Sequence, residues 1–257
     1  MKLTLATWQE VERCLARSRG IVIPMGSTEQ HGPSGLIGTD SICASAVAEG
    51  LAERAGALLG PAIELGAAQF NLGFPGTISL RSSTLMALVE DYVRSLARHG
   101  FDRFYFVNGH GGNIAPARAA FQDLYAEYSL GREPRARPIR CRLRSWWELP
   151  TADRLRRELF GEWEGMHATP SEVAIVLAVQ PEATRSAPQT PPRKVSAQFL
   201  RDHAGDNHYD ADAHRRAFPD GRVGSDPSLA SAELGRRLLD ATVADALADY
   251  QAFLEEP

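Results

Sequence analysis

The chain has 257 residues, of which 44% are hydrophobic and 23% are charged. This composition excludes disordered and fibrous proteins, and the length lies within reach of one α/β unit with a sizeable core. We therefore expect a single domain over residues 1–257. A net charge of −4 gives no general attraction to nucleic acid or to an anionic membrane, so the expected ligand is a small molecule.

The sequence predicts a cytoplasmic protein. No apolar run approaches the roughly 18 to 20 residues of a membrane helix, and the first residues lack the apolar region and the cleavage site of a signal peptide. Three cysteines without CxxC spacing, Cys14, Cys43 and Cys141, are typical of reduced thiols. A bound metal ion would then need histidine and carboxylate ligands.

Strands and helices alternate through the first part of the chain. Thr7 and Glu10 form a capping box that opens a helix, and Gly20 ends that helix before a β-branched run at 21–23. This alternation predicts an α/β fold with a mainly parallel sheet that is covered on both faces, and such sheets bind ligands in the loops after the carboxyl ends of their strands. Further helices are predicted at 40–54, at 85–100 after the caps Ser83 and Thr84, and at 115–128, and further strands at 57–61, 104–107 and 139–143.

The later part of the chain contains an arginine-rich strand and a long polar segment. Six arginines occur between Arg132 and Arg144. From Arg140 onward they alternate with apolar residues, which favours a half-exposed strand with a solvated arginine face over an anion site or a subunit contact. Residues 187–226 are expected to form a surface excursion, and a last helix is predicted over 229–254.

The loop after the first strand carries Glu29, His31 and Asp40. Two carboxylates and one imidazole are ligands that a divalent ion such as Mn²⁺ or Zn²⁺ uses, and one carboxylate can bridge two ions. Asp40 is also well placed to be the N-cap of the next helix, and either acid could be an ordinary surface residue. These local residues leave both interpretations open.

A second candidate loop contains His110. It lies in the segment Asn-Gly-His-Gly-Gly-Asn at 108–113, directly after an aromatic strand. Flanking glycines let the backbone approach a ligand closely, which favours a ligand site over a simple glycine-rich turn. A nucleotide site is not expected, because neither GxxxxGK[ST] nor GxGxxG is present.

A third candidate group consists of Trp163, His167, Ser171 and Glu172. Ser171 is expected to cap a helix over 173–179, which puts Glu172 in its first turn and His167 in the loop before it. Glu172 could serve only as a helix-dipole acid, and His167 could be an ordinary interfacial histidine.

Three histidines further along the chain lie among four aspartates. The composition around them is that of an exposed loop, and no rigid element is evident to fix ligand geometry, so we expect no metal site there. The residues concerned are His203, His208 and His214 with Asp202, Asp206, Asp210 and Asp212.

Taken in order, these motifs resemble the creatininase (creatinine amidohydrolase) family over roughly residues 20–240. The matching segments are Met-Gly-Ser-Thr-Glu-Gln-His-Gly-Pro at 25–33, Gly-Thr-Asp at 38–40, Phe-Pro-Gly-Thr-Ile-Ser at 74–79, the 108–113 segment, His167 with Glu172, and Gly-Ser-Asp-Pro-Ser at 224–228. The resemblance implies a three-layer α/β/α sandwich and two divalent ions per chain, Zn²⁺ or Mn²⁺. It further implies hydrolysis of a C–N bond other than a peptide bond, in a small amide or cyclic amide, and a homohexamer.

The resemblance also implies roles for individual residues. Asp40 would be shared by both ions, and His167 would be the acid/base residue. Trp163 would cover the substrate, with a place in the core as the alternative. Thr77 and Gly111 are further expected to bind substrate, and Glu172 to act both as a ligand and in catalysis. The implied metal ligands are Glu29, His31, Asp40, His110 and Glu172.

Two departures from the family pattern bear on the substrate. Creatininases proper carry a glutamate two residues after the histidine of Asn-Gly-His, where this chain has Gly112, and residues 33–36 read Pro-Ser-Gly-Leu in place of Pro-His-Leu-Pro. Other family members act on formamides in cofactor biosynthesis, on short peptides or on cyclic sugar-like compounds. Creatinine is therefore one candidate substrate among several.

The expected nucleophile is a hydroxide that bridges two ions at Asp40, since a bound metal lowers the pKa of water from 15.7 to about 7. His167 would then protonate the leaving nitrogen. Two rival functions remain open: a non-catalytic metal-binding assembly protein and a two-metal phosphoesterase. The phosphoesterase would need Arg or Lys beside the metals, and the three candidate loops contain none.

Overall fold

The sheet of the computed structural model is built from parallel strands. The described residues are 1–131, 138–183, 185 and 190–256, so the parts of the predictions that fall on 132–137 and 187–189 lie outside them. Ile21 pairs with Phe104, which in turn pairs with Cys141. Among the described residues the strands are β1 (Gly20–Met25), β2 (Leu58–Leu59), β3 (Arg103–Asn108) and β4 (Arg140–Ser145), in the order β2-β1-β3-β4.

Helices cover both faces of this sheet. None of the helices in the described part of the chain combines the length and the apolar composition that crossing a bilayer requires. Their bounds are α1 (Trp8–Leu15), α2 (Thr39–Ala55), α3 (Ser82–Ala97), α4 (Ile114–Leu130), α5 (Pro150–Phe160), α6 (Pro170–Val179), α7 (Ala197–Asp202), α8 (Ala211–Ala217) and α9 (Ala232–Glu255).

Successive residues of a strand point to opposite faces of the sheet, so each strand contributes to two cores. On one face, Val22 and Tyr105 pack with α2, α5, α6 and α9. On the other face, Ile21, Ile23 and Phe106 pack with α3 and α4. The three-layer α/β/α sandwich that the resemblance implied is therefore confirmed, and β1 is buried on both sides as a central parallel strand requires.

The helix caps follow the predictions only in part. The capping box of Thr7 and Glu10 is present at the start of α1. At α3 the N-cap residue is Arg81, which has the extended backbone conformation of a cap but makes no side-chain hydrogen bond. Ser83 and Thr84 therefore lie inside the helix, and their prediction as caps is wrong.

The arginine face of β4 is covered by α9. Arg142 and Arg144 both pair with Asp249, with N–O distances of 3.2 and 2.8 Å, and the Arg142 guanidinium lies 4.7 Å from the centre of the Phe253 ring. The predicted half-exposed strand is present, since residues 140–144 are partly exposed. Its arginine face is not simply solvated, however, because the last helix packs over Arg142 and Arg144 and supplies their counter-charge.

The carboxyl ends of β1 and β3 lie side by side, since Met25 pairs with Asn108 at the end of both strands. The loops that follow therefore start next to each other. Gly109 permits a close approach, because a Cβ at that position would overlap the carbonyl oxygen of Asp40 in α2. The first two candidate loops thus meet at one edge of the sheet, where parallel α/β folds bind their ligands.

Candidate metal centre

Asp40 lies between two histidines at the beginning of α2. The N-cap residue of this helix is Gly38, so the interpretation of Asp40 as a cap is wrong. Asp40 Oδ1 is 2.9 Å from His31 Nε2, and Asp40 Oδ2 is 3.2 Å from His110 Nδ1. Asp40 is only 2% exposed, and each of its carboxylate oxygens faces a different imidazole.

Backbone carbonyls orient both imidazole rings. His31 Nδ1 lies 3.1 Å from the carbonyl oxygen of Glu29, and His110 Nε2 lies 3.1 Å from the carbonyl oxygen of Ala67. Because a carbonyl accepts a hydrogen bond, each of these nitrogens carries a proton. In the neutral rings that a bound metal ion requires, His31 Nε2 and His110 Nδ1 would therefore present their lone pairs to the centre. Metal-binding histidines are commonly held in this way.

Two glutamates belong to the same buried group. Glu29 is 0% exposed; its Oε1 lies 3.2 Å from His110 Nδ1, and its Oε2 accepts a hydrogen bond of 3.0 Å from the Asn71 amide. Glu172 lies in the first turn of α6, as predicted. Thr169 N and Thr169 Oγ1 each donate to Glu172 Oε2 at 2.8 Å, so a capping box holds this carboxylate in place.

Ser171 does not cap α6, in contrast to the prediction. The cap is Thr169, which forms both hydrogen bonds of the box with Glu172 three residues further on. Ser171 lies inside the helix, and its hydroxyl donates a hydrogen bond to Glu164. The prediction was wrong because Ser171 lacks an acidic partner at the spacing that a capping box requires.

Overlapping groups of these residues could hold metal ions. Glu29 Oε1, His31 Nε2 and Asp40 Oδ2 are buried without a hydrogen-bond partner among the described residues, whereas buried polar atoms are usually paired. Imidazole nitrogens and carboxylate oxygens fit a divalent ion such as Zn²⁺ or Mn²⁺. The groups are Glu29, His31 and His167; Glu29, Asp40 and His110; and His31, Asp40 and Glu172.

Burial and mutual charge shift the pKa values of this group. Burial lowers the pKa of His31, but the adjacent Asp40 outweighs it and raises that pKa to about 10. Burial raises the pKa of Asp40, but His31 and His110 outweigh it and lower that pKa to about 2. At Glu172 burial dominates and raises the pKa to about 7. Imidazole protons therefore balance the carboxylates in the metal-free chain, and a divalent ion at the same place would displace them.

His167 lies beside this group in the loop before α6, as predicted. Its Nε2 lies 2.7 Å from the carbonyl oxygen of Gln30, and its Nδ1 lies 3.6 Å from Glu29 Oε1. Burial, followed by the charge of His31, lowers the pKa of His167 to about 3. The ring is therefore neutral at physiological pH, with its proton on Nε2 and a lone pair on Nδ1.

The buried group opens into a cleft of about 500 Å³. Gly111 lies in the cleft wall. Within the described part of the chain, Thr77 and Trp163 do not line the cleft. Thr77 Oγ1 accepts a hydrogen bond of 3.2 Å from the backbone of Gln30, and the Trp163 ring lies 4.9 Å from the Lys194 ammonium. The wall includes Glu29, Asp40, His110, Gly111, Trp146, Trp147, His167, Glu172 and Asp206.

Asp206 is a residue of this site that the sequence did not predict. Its Oδ2 lies 3.6 Å from His110 Nδ1, and burial raises its pKa to about 6, which His110 opposes only in part. The signal is present in the His- and Asp-rich segment, but the composition of that segment indicates an exposed loop. Instead, His214 of that segment is buried and packs edge-on against Phe70, with ring centres 4.9 Å apart.

A family model described as "Creatininase: Creatinine amidohydrolase" matches residues 4–249. The chain belongs to the creatininase family. The resemblance that the motifs suggested is thereby confirmed, and the match extends over nearly the whole chain rather than over the motif-bearing loops alone.

This chain is similar to creatininase-family proteins that are named for different substrates. A mycofactocin precursor peptide peptidase of Mycobacterium ulcerans is 44% identical over 116 residues, which are 42% of this chain and only 46% of that protein. The protein of the same name from Mycobacterium tuberculosis is 32% identical over 254 residues, 93% of this chain and 88% of that protein. A creatinine amidohydrolase of Pseudomonas putida is 31% identical over 190 residues, 68% of this chain and 70% of that protein.

A solved structure named "Creatininase Mn" has the same fold. It superimposes with a TM-score of 0.79 at 26% sequence identity and covers 99% of both chains. The three-layer architecture is therefore shared with a creatininase over nearly the full length of this chain.

We predict that the capping box at Thr169 stabilises this creatininase-family fold. Thr169→Val removes the hydroxyl that bonds Glu172, so the free energy of unfolding should fall by about 1 kcal/mol, the usual effect of losing a helix cap. Denaturation by urea of the metal-free protein measures the change. Thr169→Ser is the matched control, because it keeps the hydroxyl and should unfold like the unmodified chain; equal stability of Thr169→Val would contradict the prediction.

Proposed function

We propose that this protein is a metal-dependent hydrolase that cleaves a C–N bond of a short peptide or of another small amide. The observation that carries the proposal is the buried Asp40 carboxylate, with one oxygen 2.9 Å from His31 Nε2 and the other 3.2 Å from His110 Nδ1. Such an arrangement allows one carboxylate to serve two ions. Relatives named as peptide peptidases favour a peptide substrate, and the creatinine amidohydrolase relative makes a cyclic amide the second candidate.

The proposed cofactors are two divalent ions, Zn²⁺ or Mn²⁺. Glu29 and His110 would hold one ion, His31 and Glu172 the other, and Asp40 would be shared. When bound, such ions lower the pKa of water to about 7 and polarise a carbonyl oxygen. The structural neighbour named "Creatininase Mn" supports Mn²⁺, and a mutant creatininase described as "Zn-Zn type", 25% identical with a TM-score of 0.79, supports Zn²⁺.

The side chains beside the proposed ions would manage the protons. His167 donates its Nε2 proton to the carbonyl oxygen of Gln30, so Nδ1 is the atom that accepts a proton from the attacking water and passes it to the leaving nitrogen. Asn71 orients Glu29, and Thr169 orients Glu172, through the hydrogen bonds described above.

The cleft is large enough to contact a substrate bigger than a single small ring. Its volume of about 500 Å³ lies in the range of pockets that bind drug-sized ligands. The rings of Trp146 and Trp147 lie in its wall with centres 6.0 Å apart, and Trp146 Nε1 is buried without an acceptor in the described part of the chain.

The two rival functions are less well supported. Arg156 lies in the cleft wall, but it already pairs with Glu164 and Asp153 at 2.9 and 2.8 Å, so its charge is balanced before any phosphate binds. A purely structural metal site is usually closed by protein ligands. Here a cleft leads to the candidate ligands, as catalysis requires.

We expect close to two divalent ions per chain in protein purified without chelator. Asp40→Asn should remove both ions, because each proposed site uses one oxygen of Asp40. Asp123→Asn changes an exposed acid of α4 and should keep both ions. Elemental analysis of the three proteins provides the measurement; one tight ion that survives Asp40→Asn would refute the dinuclear proposal.

His167 and Glu172 should respond differently to truncation. His167→Ala should keep both ions and lose roughly 10²–10⁴-fold in kcat, the usual contribution of one positioned proton carrier. Glu172→Ala should lose one ion together with activity, because alanine offers no ligand atom. Parallel metal analysis and kinetics separate the two roles: loss of metal in His167→Ala would make His167 a ligand, and full activity would make it structural.

A substrate screen tests the proposed reaction. Metal-loaded protein is incubated with short peptides, formamides, lactams including creatinine, and phosphoesters, and the products are identified by mass spectrometry. We expect cleavage of a C–N bond in a peptide or small amide, with weak creatinine turnover because of Gly112 and the changed residues at 34–36. Phosphoester cleavage without C–N cleavage would overturn the proposal, and creatinine turnover above that of every other amide would overturn the peptide preference.

A further inference from the structure

A turn from the later part of the chain places a carboxylate next to His110. Asp206 follows α7; its side chain is 9% exposed, and its Oδ2 lies 3.6 Å from His110 Nδ1. The backbone of Asp206 has a φ of 57°, a conformation that is uncommon for a residue with a side chain. Unfavourable backbone conformations of this kind are concentrated at functional sites.

The turn is anchored to the same part of the protein as the candidate ligands. Gln69 Nε2 donates a hydrogen bond of 3.0 Å to the carbonyl oxygen of His208, and Arg215 donates to the carbonyl oxygen of Gly73. Residues on the C-terminal side of Asp206 are therefore attached to the segment at 69–73, which also carries the Asn71 amide that orients Glu29.

Two glycines explain why this carboxylate comes from so far along the chain. A Cβ at Gly111 would overlap Asp206 Oδ2, so the approach of Asp206 requires a glycine there. A Cβ at Gly112 would overlap the carbonyl oxygen of Ala67 and would lie 2.7 Å from His110 Nε2. Position 112 therefore cannot carry the glutamate that creatininases proper have there, and the loop itself supplies no carboxylate beside His110.

Three carboxylate oxygens converge on one nitrogen of His110. Glu29 Oε1 and Asp40 Oδ2 lie 3.2 Å from Nδ1, and Asp206 Oδ2 lies 3.6 Å from it. Glu29 Oε1 and Asp40 Oδ2 are buried and have no hydrogen-bond partner within the described ranges. The ligand atoms of Glu29, Asp40 and His110 lie within 4.8 Å of one another, and a tetrahedral divalent ion needs a fourth ligand, for which Asp206 is a further carboxylate beside His110.

We infer that Asp206 is a ligand of the ion that Glu29, Asp40 and His110 would hold, in place of the glutamate that creatininases proper carry two residues after the histidine. The inference rests on the proposed metal-dependent function. It makes the turn between α7 and α8 part of the metal centre and of the cleft wall, so that this segment, distant along the chain, contributes directly to ion affinity.

Metal titration of the full chain tests this inference. Protein stripped with a chelator is titrated with Mn²⁺, and free Mn²⁺ is measured by electron paramagnetic resonance; the visible spectrum of the Co²⁺-loaded protein reports the ligands. The variant is Asp206→Asn, which keeps the size of the side chain, and the matched control is Asp212→Asn at an exposed position of α8. We expect two ions in the unmodified chain and in the control. In Asp206→Asn one ion should bind at least about 10–100-fold more weakly, with an altered Co²⁺ spectrum.

The outcomes separate the inference from the proposed function. Unchanged affinity for both ions in Asp206→Asn overturns the inference alone. Weaker binding with an unchanged Co²⁺ spectrum also overturns it, since Asp206 would then only position His110. Failure of the unmodified chain to bind any ion overturns the proposed function instead. Circular dichroism of the metal-free variants verifies folding, and Asp206→Ala, for which the same results are expected, replaces a misfolded Asp206→Asn.

Discussion

Carboxylates that are buried side by side need positive charge, and this requirement governs the centre and the chain around it. Glu29 and Asp40 lie 3.2 Å from the same nitrogen of His110, in a region almost without solvent exposure. Protonated imidazoles supply the charge in the metal-free chain, and divalent ions would supply it in the loaded protein. The surrounding groups serve this arrangement: carbonyl oxygens orient the two rings, and the capping box of α6 holds Glu172.

The parallel sheet makes such crowding possible. Because β1 and β3 end in register, their loops leave the same edge together, and Gly109 allows the second loop to pack against the start of α2. The two cores on either side of the sheet stabilise this edge. Their apolar packing compensates for the backbone strain and for the repulsion between carboxylates at the centre. The cleft opens at this edge of the sheet, and Trp146 and Trp147 lie in its wall.

The sequence by itself determined the architecture and most of the residues that meet at the centre. Apolar periodicity and turn residues act locally, so the alternation of strands and helices could be predicted to within a few residues. The same local patterns predicted the candidate loops after β1 and β3. Parallel strands bring such loops to one edge of the sheet whatever the details of side-chain packing. The residues that this reasoning selected and that the fold assembles are Glu29, His31, Asp40, His110, His167 and Glu172.

Only the tertiary structure decided what depends on contacts between distant parts of the chain. The placement of Asp40 between His31 and His110, rather than at a helix cap, follows from the pairing of β1 with β3. The arginines of β4 are paired because α9 packs over them, and Asp206 reaches His110 because a segment that resembled an exposed loop folds back over the site. Local patterns carry no information about such contacts, since each depends on which chemically suitable partner the completed fold brings within reach.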